Sequence, residues 1–280
     1  MGTDLVCLTR FIRLLRGGSQ PILAEATDGA LYVVKFATNL QGPNLLFNEA
    51  AGTELYRACR LPVAEWKPLF VSDKFIDENR CCWLETAKSL VRRASGVAFG
   101  SRYLGGDGSR LFEIIPGSYI DRVKNLNDFW LAWLLDVCAD HADNRQVVFR
   151  EEDRAELKGI FIDHGHMFGG PGKAGAVGPP VRTSRHLEGR LYPKITKEDI
   201  PALSSIVGRL DLELLFERIQ AMPDEWKTEL GLRNLARCFD RLSNSCLVRD
   251  RLGAVMDSHP CSEVPTLSHV HRQNVLGWAG

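Results

Sequence analysis

Between positions 136 and 170 the chain gathers acids, amides and histidines around two short apolar runs, residues 147–149 and 159–162. Carboxylates together with an amide are the oxygen donors that a magnesium ion and a phosphate-bearing substrate require. The charged EEDRAELK between the runs has the composition of a turn, so the runs read as the two strands of a hairpin. A hairpin folds the chain back on itself. Asp140 and Asp143, ahead of its first strand, then face Asp163, which follows its second, and Asn144 or Gln146 supplies the amide. The same residues also suit a polar loop at a helix end, with Asp163 and His164 capping a turn. His141, His164 and His166 read as structural hydrogen-bonding groups. His164 and His166 lie two apart in the manner of a transition-metal pair, but no third nitrogen or sulfur ligand accompanies them.

A second set of chemically capable residues lies near the amino terminus, in the run Arg16-Gly17-Gly18-Ser19-Gln20-Pro21. A glycine pair followed by Ser19 and Gln20 frees backbone N–H groups to point at an anion. Strands are expected at 21–26 and 30–36, joined through Thr27-Asp28-Gly29, whose Asp-Gly pair marks a tight hairpin. The second strand, ALYVVKF, carries Lys35 near its end. Facing a pocket, that ammonium is a point-charge donor for nucleotide phosphates; facing water, it is an ordinary edge-strand lysine. Residues 45–59 have helical spacing, with Leu46, Ala50 and Leu55 on one face. Glu49 in the first turns of that helix could hold Lys35 by an ion pair, the arrangement used by nucleotide-dependent kinases.

Other elements must position these groups. Residues 63–71 and 81–85 read as strands, 88–110 as a strand or hinge followed by a glycine-rich loop, and FWLAWLLDVC at 129–138 as a core helix apolar nearly all round, with Asn127 as its N-cap. That helix leads directly into the acidic loop and so anchors it. Trp130 and Trp133 are core residues on this reading. After 170 a stretch rich in glycine and proline holds Thr183 and Ser184 in a basic setting, where an activation segment or a surface linker would fit. Helices are expected from 197, at 211–220, from 223 and within 230–255, and residues 257–280 read as a flexible tail without a role for its histidines.

The chain has 280 residues, 45% of them hydrophobic, enough for a large core in one or two domains. Lys plus Arg and Asp plus Glu number 35 each, so no overall field points to nucleic acid or an anionic membrane, and no basic half-site motif points to direct DNA binding. No apolar run approaches the roughly 18 residues of a membrane helix. The eight cysteines show no C-x-x-C and no zinc-ligand spacing, which predicts free thiols and a cytoplasmic protein.

The order of glycine turn, YVVKF, NEAAGTELYR, FGSRYLGG, buried helix, ADNRQVVF and FIDHGHMFGG resembles the HipA-like kinase domain, over about residues 10 to 195. The resemblance implies an α+β, two-lobed protein-kinase-like fold: a β-rich nucleotide-binding lobe at 1–115, a helical catalytic lobe at 116–256, and the tail at 257–280. It implies ATP and Mg2+ as cofactors, transfer of the γ-phosphate to a protein Ser or Thr, and a possible regulatory partner protein. Carried over, Gly17, Gly18, Ser19 and Gln20 cradle phosphates, Lys35 contacts them, Glu49 orients Lys35, and Asp163 holds the metal with Asn144 or Gln146. The wider group places a catalytic Asp five residues before a metal-binding Asn, and here that position is Ala139. Two alignments fit, Asp140 to Asn144 with one residue deleted or Asp143-Asn144-Arg145-Gln146. The second resembles the branch better, whose members carry Asp, a variable residue and Arg-Gln before an apolar strand. Asp143 is favoured as the base, with Asp140 in reserve. The shortened spacing leaves room for a nucleotide-binding pseudokinase, and the carboxyl-terminal helices for a non-catalytic regulatory module of the toxin–antitoxin kind.

Overall fold

The computed structural model describes residues 5–172, 191, 205–244 and 250. Thr183, Ser184, the helix expected from 197 and the tail at 257–280 lie outside the described residues.

The amino-terminal part is built on a five-stranded antiparallel sheet. Its strands are β1 (Leu8–Leu14), β2 (Ile22–Ala26), β3 (Leu31–Lys35), β4 (Trp66–Val71) and, later in the chain, β7 (Gly96–Arg102), in the spatial order β1-β2-β3-β7-β4. The Asp28-Gly29 turn forms as expected: Asp28 accepts from the Ala30 N–H and from the Tyr32 hydroxyl, which fixes the hairpin register. Between β3 and β4 runs helix α1 (Leu45–Ala58), buried along nearly its whole length. Gly52 makes that depth possible, because a Cβ there would lie 2.6 Å from both His164 Cβ and Met167 Sδ. The sheet's outer face packs Tyr32, Val34, Leu69 and Val71 against Phe75 and Ile76 of α2 (Asp73–Glu78). Ser72 caps that short helix by accepting from the Phe75 N–H at 3.1 Å.

Residues 81–85 form less strand than their composition predicts. Arg80–Cys82 is a 3-10 turn, and only β5 (Leu84–Glu85) pairs, with β6 (Leu90–Val91). The cause lies in the hydrogen bonding. The 3-10 turn is closed by Cys82 N–H to Asn79 O and Trp83 N–H to Arg80 O, and the Cys82 carbonyl is taken by a side chain, so none of these groups is left for a ladder.

The second part contains β8 (Leu111–Phe112), helix α3 (Asn127–Cys138), the hairpin β9 (Gln146–Glu151) and β10 (Leu157–Ile162), and helices α4 (Leu212–Gln220) and α5 (Glu229–Ser243). Among the described residues, one large core joins α1, α3, α4, α5 and the hairpin. Asn127 is the first residue of α3 rather than its cap. The side-chain amide of Asn125 donates to the Asp128 carboxylate and bonds both the N–H and C=O of Gly159, tying the start of α3 to β10. No described helix is long and apolar enough to cross a membrane, and the six described cysteines are free.

Candidate functional site

Lys35 ends β3 with its side chain turned inward, and it bridges two acids from distant parts of the chain. Its Nζ donates to Glu49 Oε1 of α1 and to Asp163 Oδ1, the latter at 2.8 Å. The edge-strand alternative for Lys35 is thereby excluded, since its side chain is 9% exposed. Burial pulls the ammonium's pKa down, but the fields of Asp163 and Glu49 outweigh it and the net direction is up. Burial pushes Glu49 upward against the opposing pull of Lys35. Burial acts in the same sense on Asp163, yet the Lys35 charge and hydrogen bond hold that carboxyl well below its usual range. Lys35 is a fixed cation, and Asp163, about a third exposed, is the ionised acid that opens toward solvent.

The loop after β10 is fastened to α1. Glu49 accepts from the Gly165 N–H at 2.8 Å and the His164 N–H at 3.2 Å, and Asn48 donates to the carbonyls of Gly165 and Met167. Asp163 itself has φ 59°, a left-handed conformation that costs a non-glycine residue energy and that persists here because the surrounding contacts fix it.

The hairpin expected from the sequence is present. Ile162 stands opposite Gln146, and Leu157 opposite Glu151. Residues directly opposite share a face, so Gln146 projects on the same side as Ile162 and Val148. The acidic loop before β9 interlocks with the loop after β10: Ala142 N–H donates to His166 O, Gly169 N–H to Asp140 O, and Phe168 N–H to Ala139 O. Both loops rest on a buried polar core that the sequence reading missed. Arg145 donates through a fork to Asp136, reaches Ile162 O at 3.0 Å and meets His164 Nδ1 at 3.2 Å, while the Tyr56 hydroxyl donates to Asp136 at 2.7 Å. Arginine has no acceptor, so His164 Nδ1 carries a lone pair, and the imidazole is the neutral Nε2–H tautomer. The signal in the sequence was the pair Asp136 and Arg145, two charges bracketing an apolar helix end.

The two candidate bases differ in surroundings. Asp140, with φ 46°, pairs its carboxylate with Arg241 of α5, which also donates to Cys138 O. Asp143 is exposed and accepts from the N–H of its neighbour Asn144 at 2.7 Å. Asn144 is half-buried.

The glycine turn adjoins Gln41. Gly17 has φ 140°, and the Gln20 N–H closes the turn on Gly17 O. The N–H groups of Gly18 and Ser19 have no acceptor among the described residues. The Gln20 side chain is committed to β5, with its amide exchanging two hydrogen bonds with the Glu85 backbone. A Cβ on Gly18 would be 3.0 Å from Gln41 Nε2, and that amide sits 2.8 Å from His166 Nε2. The turn thus reaches the Asp163 loop through Gln41, a residue the sequence did not single out.

Beneath the sheet, Leu15, Leu23 and Val33 form a small apolar cluster, and Leu111, Val148 and Ile162 form another. Tyr103, just after β7, packs against both. A separate cavity of about 470 Å3 is lined by Leu31, Val63, Tyr103, Arg150 and Lys158 among others, and it includes neither Lys35 nor Asp163.

Comparison with solved structures places this architecture. A proinflammatory kinase of Helicobacter pylori, CtkA, superimposes with a TM-score of 0.53 at 14% identity, over 88% of this chain and 98% of that one. The fold is kinase-like. The Golgi casein kinase, solved with Mn/ADP bound, matches at a TM-score of 0.45 and 10% identity, over 88% of this chain and 73% of that one. No protein-family model matches the chain, and no curated protein does.

Proposed function

We propose that this chain is a HipA-like, ATP-dependent phosphotransferase that moves the γ-phosphate of ATP to a hydroxyl, that of a protein Ser or Thr. The observation that carries this reading is Lys35 held between Glu49 and Asp163 in a kinase-like fold, the lysine–acid pair and metal-binding acid on which phosphoryl transfer depends.

In this reading Lys35 contacts the nucleotide phosphates while Glu49, fixed by two backbone N–H groups, keeps the ammonium in place. The Gly18 and Ser19 N–H groups supply further donors, and the two apolar clusters that meet at Tyr103 enclose the base. The donor set fits magnesium: the ion needs only one or two protein carboxylates when phosphates and water complete its shell. Asp163 would hold it together with Asn144 or Gln146, and when bound it neutralises charge on the phosphates. With both bound, Lys35 would face phosphate and Asp163 would hold the ion in place of their mutual ion pair. The acceptor oxygen attacks the γ-phosphorus, the bond to the bridging oxygen of ADP breaks, and Asp143 takes the hydroxyl proton. The exposure of Asp143 supports it as the base, and the pairing of Asp140 with Arg241 supports a positioning role for that residue.

The test is transfer of labelled γ-phosphate by the parent protein to itself or to a protein and peptide panel. Asp143→Ala should lower the rate by about two to four orders of magnitude with ATP binding intact, and Asp140→Ala by less. The reverse ranking makes Asp140 the base. ATP binding with no transfer by the parent supports the pseudokinase.

A further inference from the structure

Arg93 is fully buried, yet no carboxylate pairs with it among the described residues. Its guanidinium instead donates to three carbonyls from three separate segments: Nε to Cys82 at 2.6 Å, Nη1 to Thr38 at 2.5 Å and Nη2 to Gln20 at 2.9 Å. Its flat face lies over the Phe36 ring, 4.4 Å from the centroid. Burial draws its pKa down to about 10, which leaves it charged at neutral pH.

A buried charge without a counter-ion is expensive, and apolar packing could have filled the same space at less cost. What a guanidinium does here that an apolar side chain cannot is bind three carbonyls at fixed angles in one plane. Two of those carbonyls frame the candidate site. Gln20 closes the glycine turn, and Thr38 follows Lys35 by three residues, with the stacked Phe36 between them. The third, on Cys82, belongs to the segment leading into β5, and β5 also holds the Gln20 side chain. The turn and the end of the lysine strand are therefore tied to one rigid plane. Asp73 and Asp77 are taken by the adjacent Arg92.

We propose that Arg93 is a positioning residue that sets the Gly17–Gln20 turn at a fixed height above Lys35, so that the free N–H groups of the turn and the ammonium meet the same phosphate chain. It acts through the turn and does not touch the ligand. This rests on the phosphotransferase reading for its consequence, though not for the geometry.

The experiment uses the full chain with Arg93→Met, which keeps length and loses the fork, and Arg93→Lys, which keeps the charge and loses the fork. Hydrogen exchange of the peptide spanning the turn is measured without ligand, and calorimetry then gives affinities for ATP with magnesium and for adenosine. Both variants should speed exchange in the turn while leaving β9 and β10 protected. Both should weaken ATP binding by about ten- to a hundredfold, the scale of a displaced binding group, with adenosine affinity unchanged. Rescue by Arg93→Lys would mean that charge rather than the fork matters and would overturn the proposal. Unchanged exchange in the turn would overturn it as well. Faster exchange throughout both variants would make Arg93 a general folding residue, which also overturns it. Failure of the parent to bind ATP would instead refute the phosphotransferase reading, and the exchange of the turn would still decide the role of Arg93.

Discussion

Gly165→Ala tests the site without changing any charged group. The added Cβ would lie 2.5 Å from Leu45 Cδ1 and 2.6 Å from Glu49 Oε1, close to an ångström inside ordinary contact. Leu45 is fully buried and has no room to retreat, so Glu49 must move. Its Oε1 is the atom that receives both Lys35 Nζ and the Gly165 N–H, the latter at 2.8 Å, and a shift of that size breaks the second bond and misplaces the first. Overpacking costs about 1–3 kcal/mol, and a lost bond to a charged group about 1.5–3 kcal/mol. The sum is a stability loss of about 2.5–6 kcal/mol, or a melting temperature lower by roughly 5–24 °C in a chain of this size. Misplacing Lys35 should cost about a hundredfold in phosphotransfer rate. Gly172→Ala, whose Cβ would meet nothing within 4 Å among the described residues, is the control and should change neither quantity. Thermal melting and a single-turnover transfer assay read the two effects. A Gly165→Ala protein with the parent's melting point and rate would refute the claim that this loop fixes Glu49.

Arg145→Met should destabilise the protein by about 3–5 kcal/mol in urea unfolding, because it leaves Asp136 buried without its counter-charge. His141 gives a pH effect: burial, reinforced by Arg145, lowers its pKa from 6.5 to about 4. Between those values the unfolded chain binds a proton that the folded one refuses, so stability falls as pH drops through 6.5 toward 4. Between pH 7 and pH 5 the parent should lose about 2 kcal/mol more than His141→Asn, as measured by urea unfolding at both pH values. Equal losses would mean that His141 is not buried neutral.

Much of this site could be read in the sequence because its parts follow strong local rules. A β-branched and aromatic run placed Lys35 on a strand, the Asp-Gly pair set the first hairpin, and two apolar runs around a charged turn set the second. The resemblance to a kinase domain, rather than these local rules, put Lys35, Glu49 and Asp163 at one site before any coordinates. What could not be read depends on long-range geometry. Arg93 follows a two-residue strand in a polar stretch, and its partners are carbonyls, which leave no mark on residue type. Gln41 and Asn48 matter through contacts with a loop over a hundred positions away. Helix α2 did have a local signal, Ser72 three residues ahead of Phe75, but six residues show too little periodicity to stand out between strands.

The central claim, that Lys35, Glu49 and Asp163 form a metal–nucleotide site, is tested most directly by calorimetric titration of ATP with and without magnesium. The comparison sets the parent against Asp163→Asn and against Asp153→Asn, the latter in the turn between β9 and β10. The parent and Asp153→Asn should bind ATP more tightly with magnesium than without it, whereas Asp163→Asn should show no such gain. An equal magnesium effect in all three proteins, or no ATP binding by the parent, would contradict the claim.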